Sequence, residues 1–467
     1  MDRREFSKLT LGGLGLLALS GPDAFSKEGA GKAVVRNGKL IEPGRELPLD
    51  DWADIIVVGG GPAGIAVAVA AARAGRKVRL FELQGSLGGV WTSGLLSYIF
   101  DIDKSETARE IIRRLDEYGA RHVDSYPAEF SDRYNYGPDN DWVYEPEYMR
   151  LVCEDMCAEA GVKVTLQCPV VAAYRNGRNI SAIVTESKSG RQAWTARTFV
   201  DCSGDGDLAA LAGCGFDIGW SPEGWGQPAT LNALVVVKDP DAISEYVSNY
   251  PAMWIPAGPE DIAHHNFASR KLKAQMLKAG VNPSYGDPTL FGFHSNLFCF
   301  MVNHEYHLRI DDAQAISDAT IRARKEICSI ARALSALGGP WEGMRVVATA
   351  EQIGHREARR IHGRYTLTRE DVAAGATFPD ALTTSRFGID IHGMDLKSNN
   401  EKAAGQSLGW TSKPFQIPLR ACQAKDVDNL YMAGRNISGD FIAHASYRVT
   451  GSSVAIGEAV GKVVAEL

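Results

Sequence analysis

Beyond the first 24 residues, no apolar run is long enough to serve as a stable membrane span. Cysteine is scarce as well: eight in 467 residues, at scattered positions that make no disulfide framework. Cys153 and Cys157 sit at helical spacing and not in a redox Cys-x-x-Cys, so the cysteines read as buried thiols. Basic residues do not dominate. Fifty Lys and Arg stand against 57 Asp and Glu, a net charge of -7, which argues against a nucleic-acid partner. There are no internal repeats or low-complexity tracts, so solenoids and propellers are excluded. What remains is a chain long enough for a large core in two intimately connected domains.

The N-terminus has the parts of an export signal in order: charge from Asp2 to Lys8, a short apolar run over residues 9–19, and small residues at Ala18 and Ser20. Residues 1–24 are therefore expected to be a signal, and the polar stretch 25–51, rich in Gly, Lys and Pro, a linker outside the fold. Arg3 and Arg4, followed by Phe6 and Lys8, resemble the twin-arginine signal, whose translocon carries proteins already folded. Folded export suits a protein that must be loaded before it leaves. That places the mature chain in the periplasm and raises the question of the load.

"DIIVVGGGPAGIAVAVAAARAGRKVRLFEL" supplies a candidate. Ile55–Val58 is an unbroken apolar run suited to a buried parallel strand. Gly59, Gly61 and Gly64 then permit a tight turn, close approach of a pyrophosphate, and close packing of the next helix on the sheet. The helix, residues 63–74, is almost entirely small and apolar and aims its positive end at the turn. A second strand, Val78–Phe81, delivers Glu82 where a carboxylate accepts from a ribose 2′-hydroxyl. Strand, glycines, helix, strand and acid together imply an adenine dinucleotide, and an acid at position 82 disfavours a 2′-phosphate.

The remaining motifs carry a family resemblance. "FELQGSLGGVWTSG" adds a second glycine pair, Gly88 and Gly89; "TFVDCSGDGDLAALAG" brings Cys202, Ser203 and Gly204; and "LYMAGRNISGDFIAHASYRVTGSS" supplies a strand over residues 430–433, then Gly434 and Arg435, and a helix opening at Gly451. With "IGHREARRIHGRYTLTREDV" and "GIDIH", these resemble the FAD-dependent oxidoreductases of the two-dinucleotide-domain type, from about Asp54 to the C-terminus. The resemblance implies FAD as the cofactor and adds Pro62, Ala63 and Val170 to its binding set. It also implies a fold: α/β, a Rossmann-like FAD domain over 52–100, 145–215 and 425–467, with an interleaved α+β substrate domain over 101–144 and 216–424. Return of the chain to the cofactor at Gly88, Gly204 and Gly434 is itself a reason for a retained FAD rather than an exchanging NAD. Arg435 departs from the pattern, since many such flavoproteins have an acid after this glycine.

No second strand-glycine-helix unit occurs between Gly204 and Gly434, because "ALGGPWEG" lacks both flanks. Electrons are thus expected to enter from a small-molecule substrate and leave to an acceptor outside the chain: a quinone, a carrier protein or oxygen. Three clusters are catalytic candidates. Asp390 and His392 share one face of an extended segment, the arrangement of an oriented general base and also of a surface pair. His444, Ser446 and Arg448 alternate before the last helix. Arg356, Arg359 and Arg360 could clamp an anion, with Glu357 as an internal partner. Tyr447 and Tyr365 are reserve bases. The scattered histidines, including "NHEYH", do not match a metal motif, and no metal is expected. The expected reaction is hydride transfer to flavin N5 from a small substrate, sugar-like or cyclic if Trp220, Trp225, Trp254, Trp341 and Trp410 border it. A reductase of an unsaturated acid and a non-redox lyase using FAD as a scaffold are the alternatives.

Overall fold

The computed structural model describes residues 34–42, 44–102, 104–123, 142–249 and 264–467. The expected export signal and the first part of the expected linker therefore lie outside the described residues.

Five parallel strands form the central sheet: β1 (Ile55–Val58), β2 (Val78–Phe81), β3 (Lys163–Thr165), β4 (Thr198–Asp201) and β5 (Leu430–Met432). Their order is β5-β4-β1-β2-β3, and every neighbouring pair is parallel. This is the doubly wound order whose reversal point, beside β1, opens a crevice at the carboxyl ends of the strands. β1 is buried along its whole length, as an unbroken apolar run requires.

Helix α1 (Pro62–Arg73) follows β1, and the C-terminal helix α6 (Thr450–Glu466) packs across it. Small residues make the crossing tight. A methyl group at Gly457 would lie 2.4 Å from Ala63 O, and one at Gly461 2.6 Å from Val67 O. Larger side chains there would force the helices apart, the overpacking that typically costs about 1–3 kcal/mol.

A second, four-stranded layer takes three strands from between β3 and β4, Val170–Asn176, Asn179–Ser187 and Gly190–Trp194 as an antiparallel meander, and is edged by Leu49–Asp50, from before β1, in parallel with Gly190–Trp194. The end of the segment expected to be a linker is thus a sheet edge, and Val34–Arg36 with Lys39–Ile41 forms a hairpin before it.

Among the described residues, two large cores and one small cluster, of Tyr98, Val143, Phe291, Phe293 and Cys299, gather segments from both expected domains. The first draws on residues 53–214 and 361–465, the second on Leu95 and residues 229–353. Helix α2 (Glu106–Glu117), placed by sequence in the substrate domain, buries Ala108, Ile111 and Leu115 in the first core beside α3 (Pro146–Glu159), and its Thr107 N–H donates to Glu458 of α6. Residues 361–424, also assigned there, contribute Ile391, Phe415 and Ile417 to that core. The second core lies in a four-stranded antiparallel sheet, Thr289–His294, Leu297–Met301, Ala233–Val236 and Arg345–Thr349 in that order, backed by α4 (Ala313–Leu337); the sequence reading puts the substrate layer here. In the sequence, residues 312–337 read as a long amphipathic helix with Asp311 or Asp312 as its N-cap and Gly338 after its end; Asp312 is the cap and Gly338 follows the last turn. Among the described residues, no helix is long and apolar enough to cross a membrane.

Candidate active site

The glycines after β1 divide their work as their spacing requires. At Gly64 a methyl group would lie 1.9 Å from Gly59 O, so this position holds α1 against the turn. Gly59 has φ +100° and lies against Cys202, where β4 ends. At Gly61 the nearest atom to an added methyl is Gly89 Cα at 4.0 Å, and the space beyond belongs to a cavity of about 600 Å³.

Gly59, Gly61, Pro62, Ala63, Glu82, Gly89, Val170, Ser203, Gly204, Gly434 and Arg435 all line that cavity. Gly88 and Gly451 do not. Gly88, at φ +103°, packs on Thr92, and a methyl at Gly451 would lie 2.2 Å from Phe100 O. Both shape the wall from behind.

These residues fit FAD. No side chain caps α1 at Gly61, so its first-turn amides are left for an anionic ligand. The start of α6 is equally uncapped, and Val449, Thr450 and Ser453 border the same cavity. The helix expected to open at Gly451 begins one residue earlier, at Thr450. Glu82 accepts from Gly60 N–H and Gln84 N–H, one on each oxygen, and borders the cavity; burial raises its pKa. Arg435 pairs with Asp205 at 2.6 Å, which puts an acid on the cavity wall without one following Gly434. Asp440, the other acid in that stretch, caps α5 (Phe441–Tyr447) and accepts from Arg369 N–H.

The same cavity reaches Arg356, Asp390 and His392. His392 Nε2 lies 3.4 Å from Asp390 Oδ2, so the expected pair exists in a cavity wall and not on the surface. Asp390 also accepts from Arg448 Nη2 at 3.0 Å and Gly405 N–H at 2.8 Å. Burial alone would raise Asp390, but His392 and Arg448 hold it well below the usual carboxylate range. Burial and the Arg356 charge push His392 down to about 4 against the opposing pull of Asp390, so the ring is neutral at physiological pH. Its Nδ1 is covered and has no hydrogen-bond partner among the described residues.

The alternation expected around His444 does not occur. Residues 441–447 are helix α5, and His444 is wholly enclosed, edge-on to Tyr447, held neutral by burial and absent from the cavity wall. Ser446 donates to Phe387 O. Only Arg448, one residue past α5, reaches the cavity.

The "REARR" arginines separate too. Arg356 faces the cavity, Arg359 pairs with Asp207, and Arg360 donates to Gly439 O and Gly219 O. Glu357 takes the Gln227 amide rather than Arg356, and burial raises its pKa. Tyr447 and Tyr365 are committed to Ile437 O and Asp371. None of the four described tryptophans named above borders the cavity; Trp254 lies outside the described residues.

Among the cavity residues that escaped the sequence reading, two lie beside Arg356 and His392. Tyr285 stacks on His304 with ring centroids 4.1 Å apart, and its hydroxyl makes no hydrogen bond to the described residues. Thr230 accepts from Arg356. Neither belongs to a motif, so no local signal could have found them. Gln227, behind the wall, accepts from His392 N–H and links it to Glu357.

The family model described as FAD dependent oxidoreductase matches residues 54–466. Thiamine thiazole synthase of Methanosarcina mazei is 36% identical over 78 residues, 16% of this chain and 28% of that protein. Thiamine thiazole synthase of Desulfosudis oleivorans is 49% identical over 53 residues, 11% and 20% of the two. The chain thus matches under a third of the length of either relative. Among solved structures, a geranylgeranyl bacteriochlorophyll reductase-like protein of Thermoplasma acidophilum aligns over 90% of this chain and 79% of its own, with TM-score 0.43 and 11% identity.

Proposed function

Because the chain belongs to the FAD-dependent oxidoreductase family, we propose that it oxidises a small organic substrate at a carbon bearing an alcohol or amine, with His392 accepting the heteroatom proton. The observation behind this reading is the Asp390–His392 pair in the wall of the cavity that also holds the FAD cradle. FAD, when bound, supplies the hydride acceptor that such an oxidation requires.

The chain's own residues supply the rest. Asp390, kept ionised by Arg448, accepts the Nε2–H of His392 and so leaves the basic lone pair on Nδ1. Gln227 fixes the backbone of His392. Because Nδ1 is covered in this structure, a small tilt of the ring has to uncover it when substrate enters. Reduction of an unsaturated acid calls for an arginine with no base beside it; Arg356 and His392 share a wall, which favours oxidation. With one dinucleotide unit in the chain, an outside acceptor, a quinone, a carrier protein or oxygen, closes the cycle.

Arg3 and Arg4, in register with the apolar run after them, support export by the twin-arginine translocon to the periplasm with FAD already bound. The test of the reaction is anaerobic mixing with alcohols and amines while the flavin absorbance is followed. Substrate should bleach the wild-type flavin, and His392→Ala should slow bleaching by about 10²- to 10⁴-fold with FAD content unchanged. Bleaching by the variant at the wild-type rate removes His392 from the mechanism. Failure of every such compound to bleach the wild type, with turnover on a redox-inert flavin analogue, points instead to the lyase.

A further inference from the structure

Four arginines border the cavity: Arg356, Arg386, Arg435 and Arg448. Three have carboxylate partners, Asp101 for Arg386, Asp205 for Arg435 and Asp390 for Arg448. Arg356 has none among the described residues. Its Nη1 donates to Pro228 O and Thr230 Oγ1, both neutral and both 2.8 Å away, and no ion pair involves it. Burying a charge without a counter-charge is costly, so an uncompensated guanidinium in a cavity wall marks a place where an anion completes the pairing.

Its position says which anion. Arg356 is anchored on Pro228 O and Thr230 Oγ1, in the segment that leads into the strand Ala233–Val236, and neither of these partners belongs to the glycine turn or to the uncapped end of α1 that suit a pyrophosphate. Its electrostatic neighbours are Tyr285, Asp390 and Arg448, the surroundings of His392. Burial and the nearby Arg448 pull Arg356 down to about 10, so it remains charged at neutral pH. One unpaired positive charge balances one negative charge, which suits a carboxylate better than a doubly charged phosphate. A planar fork also matches a carboxylate's two oxygens, and the unbonded hydroxyl of Tyr285 is available as an added donor.

We propose that Arg356 seats a carboxylate of the substrate, so that the molecule oxidised is a hydroxy or amino monocarboxylic acid. This rests on the oxidation reading above and narrows its substrate class. Arg356 fixes the acid group while His392, on the same wall, faces the proton to be removed.

The experiment is calorimetric titration of the FAD-loaded enzyme with acetate, propionate and benzoate, which lack an oxidisable hydroxyl or amine, and with inorganic phosphate. Saturable binding of at least one carboxylate, tighter than phosphate, is expected. Arg356→Gln should weaken it on the order of 100-fold while the flavin-to-protein ratio stays at the wild-type value, and Arg356→Lys should recover part of the loss. No carboxylate binding by the wild type, tighter binding of phosphate, or unchanged affinity in Arg356→Gln would each overturn the proposal. So would loss of FAD from Arg356→Gln, which would make the arginine a cofactor ligand. His392→Ala is titrated in parallel. If it binds carboxylate normally yet bleaches at the wild-type rate, the base assignment fails and the carboxylate seat stands.

Discussion

His392 and His444 carry the same imidazole, yet only His392 borders the cavity, while α5 encloses His444 completely. Burial lowers both pKa values, but His392 keeps an ionised neighbour in Asp390 and settles at about 4. A base with that pKa is lost only in acid. The anaerobic rate of flavin reduction is therefore expected to stay level from about pH 8 to about pH 5 and to decline as pH approaches about 4. A decline centred near the ordinary histidine value of about 6.5 would contradict the described surroundings. The sign for stability follows from the same shift. Between about 6.5 and about 4 the unfolded chain binds the proton and the folded chain does not, so this ring's contribution falls as pH drops through that window. His444→Ala should lower the melting temperature through the space it leaves, with bleaching by substrate unchanged. Loss of bleaching with FAD in place would move the base to His444.

Elements that obey local rules came out of the sequence nearly intact. Ile55–Val58 and Val78–Phe81 have the bounds their apolar runs suggest, and α4 starts at its acidic cap. The glycine turn goes further, because residue spacing assigns each glycine a different duty. Gly61→Val should leave a folded protein that does not retain flavin, since the added atoms enter the cavity, with only Gly89 Cα within 4.0 Å of the first of them. Gly64→Val should fail earlier, with loss of soluble or folded protein, because its first added carbon already overlaps Gly59 O. Thermal unfolding and the flavin-to-protein ratio of the two variants separate these outcomes; flavin retention by a folded Gly61→Val would refute the cradle. Helix α5 was the element missed. It is buried on every side, so "FIAHASY" has no polar face to reveal a helical period, and alternate polar residues imitate a strand.

For the molecule as a whole, the cavity is assembled from segments spread between Val58 and Ser453, so it exists only once nearly the entire chain has folded. A cofactor held there is enclosed by the folded chain and travels with it. That links the cavity to the twin-arginine reading of the N-terminus. Replacing Arg3 and Arg4 with lysines is expected to leave flavin-loaded protein in the cytoplasm, detected by fractionation and by the flavin spectrum. Normal periplasmic accumulation of that double variant would reject folded export. Packing also crosses the expected domain boundaries: residues 361–424, expected in the substrate domain, return their apolar side chains to the first core.

Local order alone determined the parallel strands, the glycine turn, the acid at Glu82 and the caps of α4, because each depends on backbone conformation and burial within a few residues. Charge pairing was settled elsewhere. Arg448 finds Asp390 across 58 positions, Arg435 finds Asp205 across 230, and Arg386 finds Asp101 across 285. Which arginine was left without a carboxylate, and which histidine kept one, followed from those long-range encounters. In the sequence Arg356 stands beside Glu357 and looks neutralised; in the fold the carboxyl turns to Gln227, and the guanidinium is left facing the cavity because only packing decides where each side chain points.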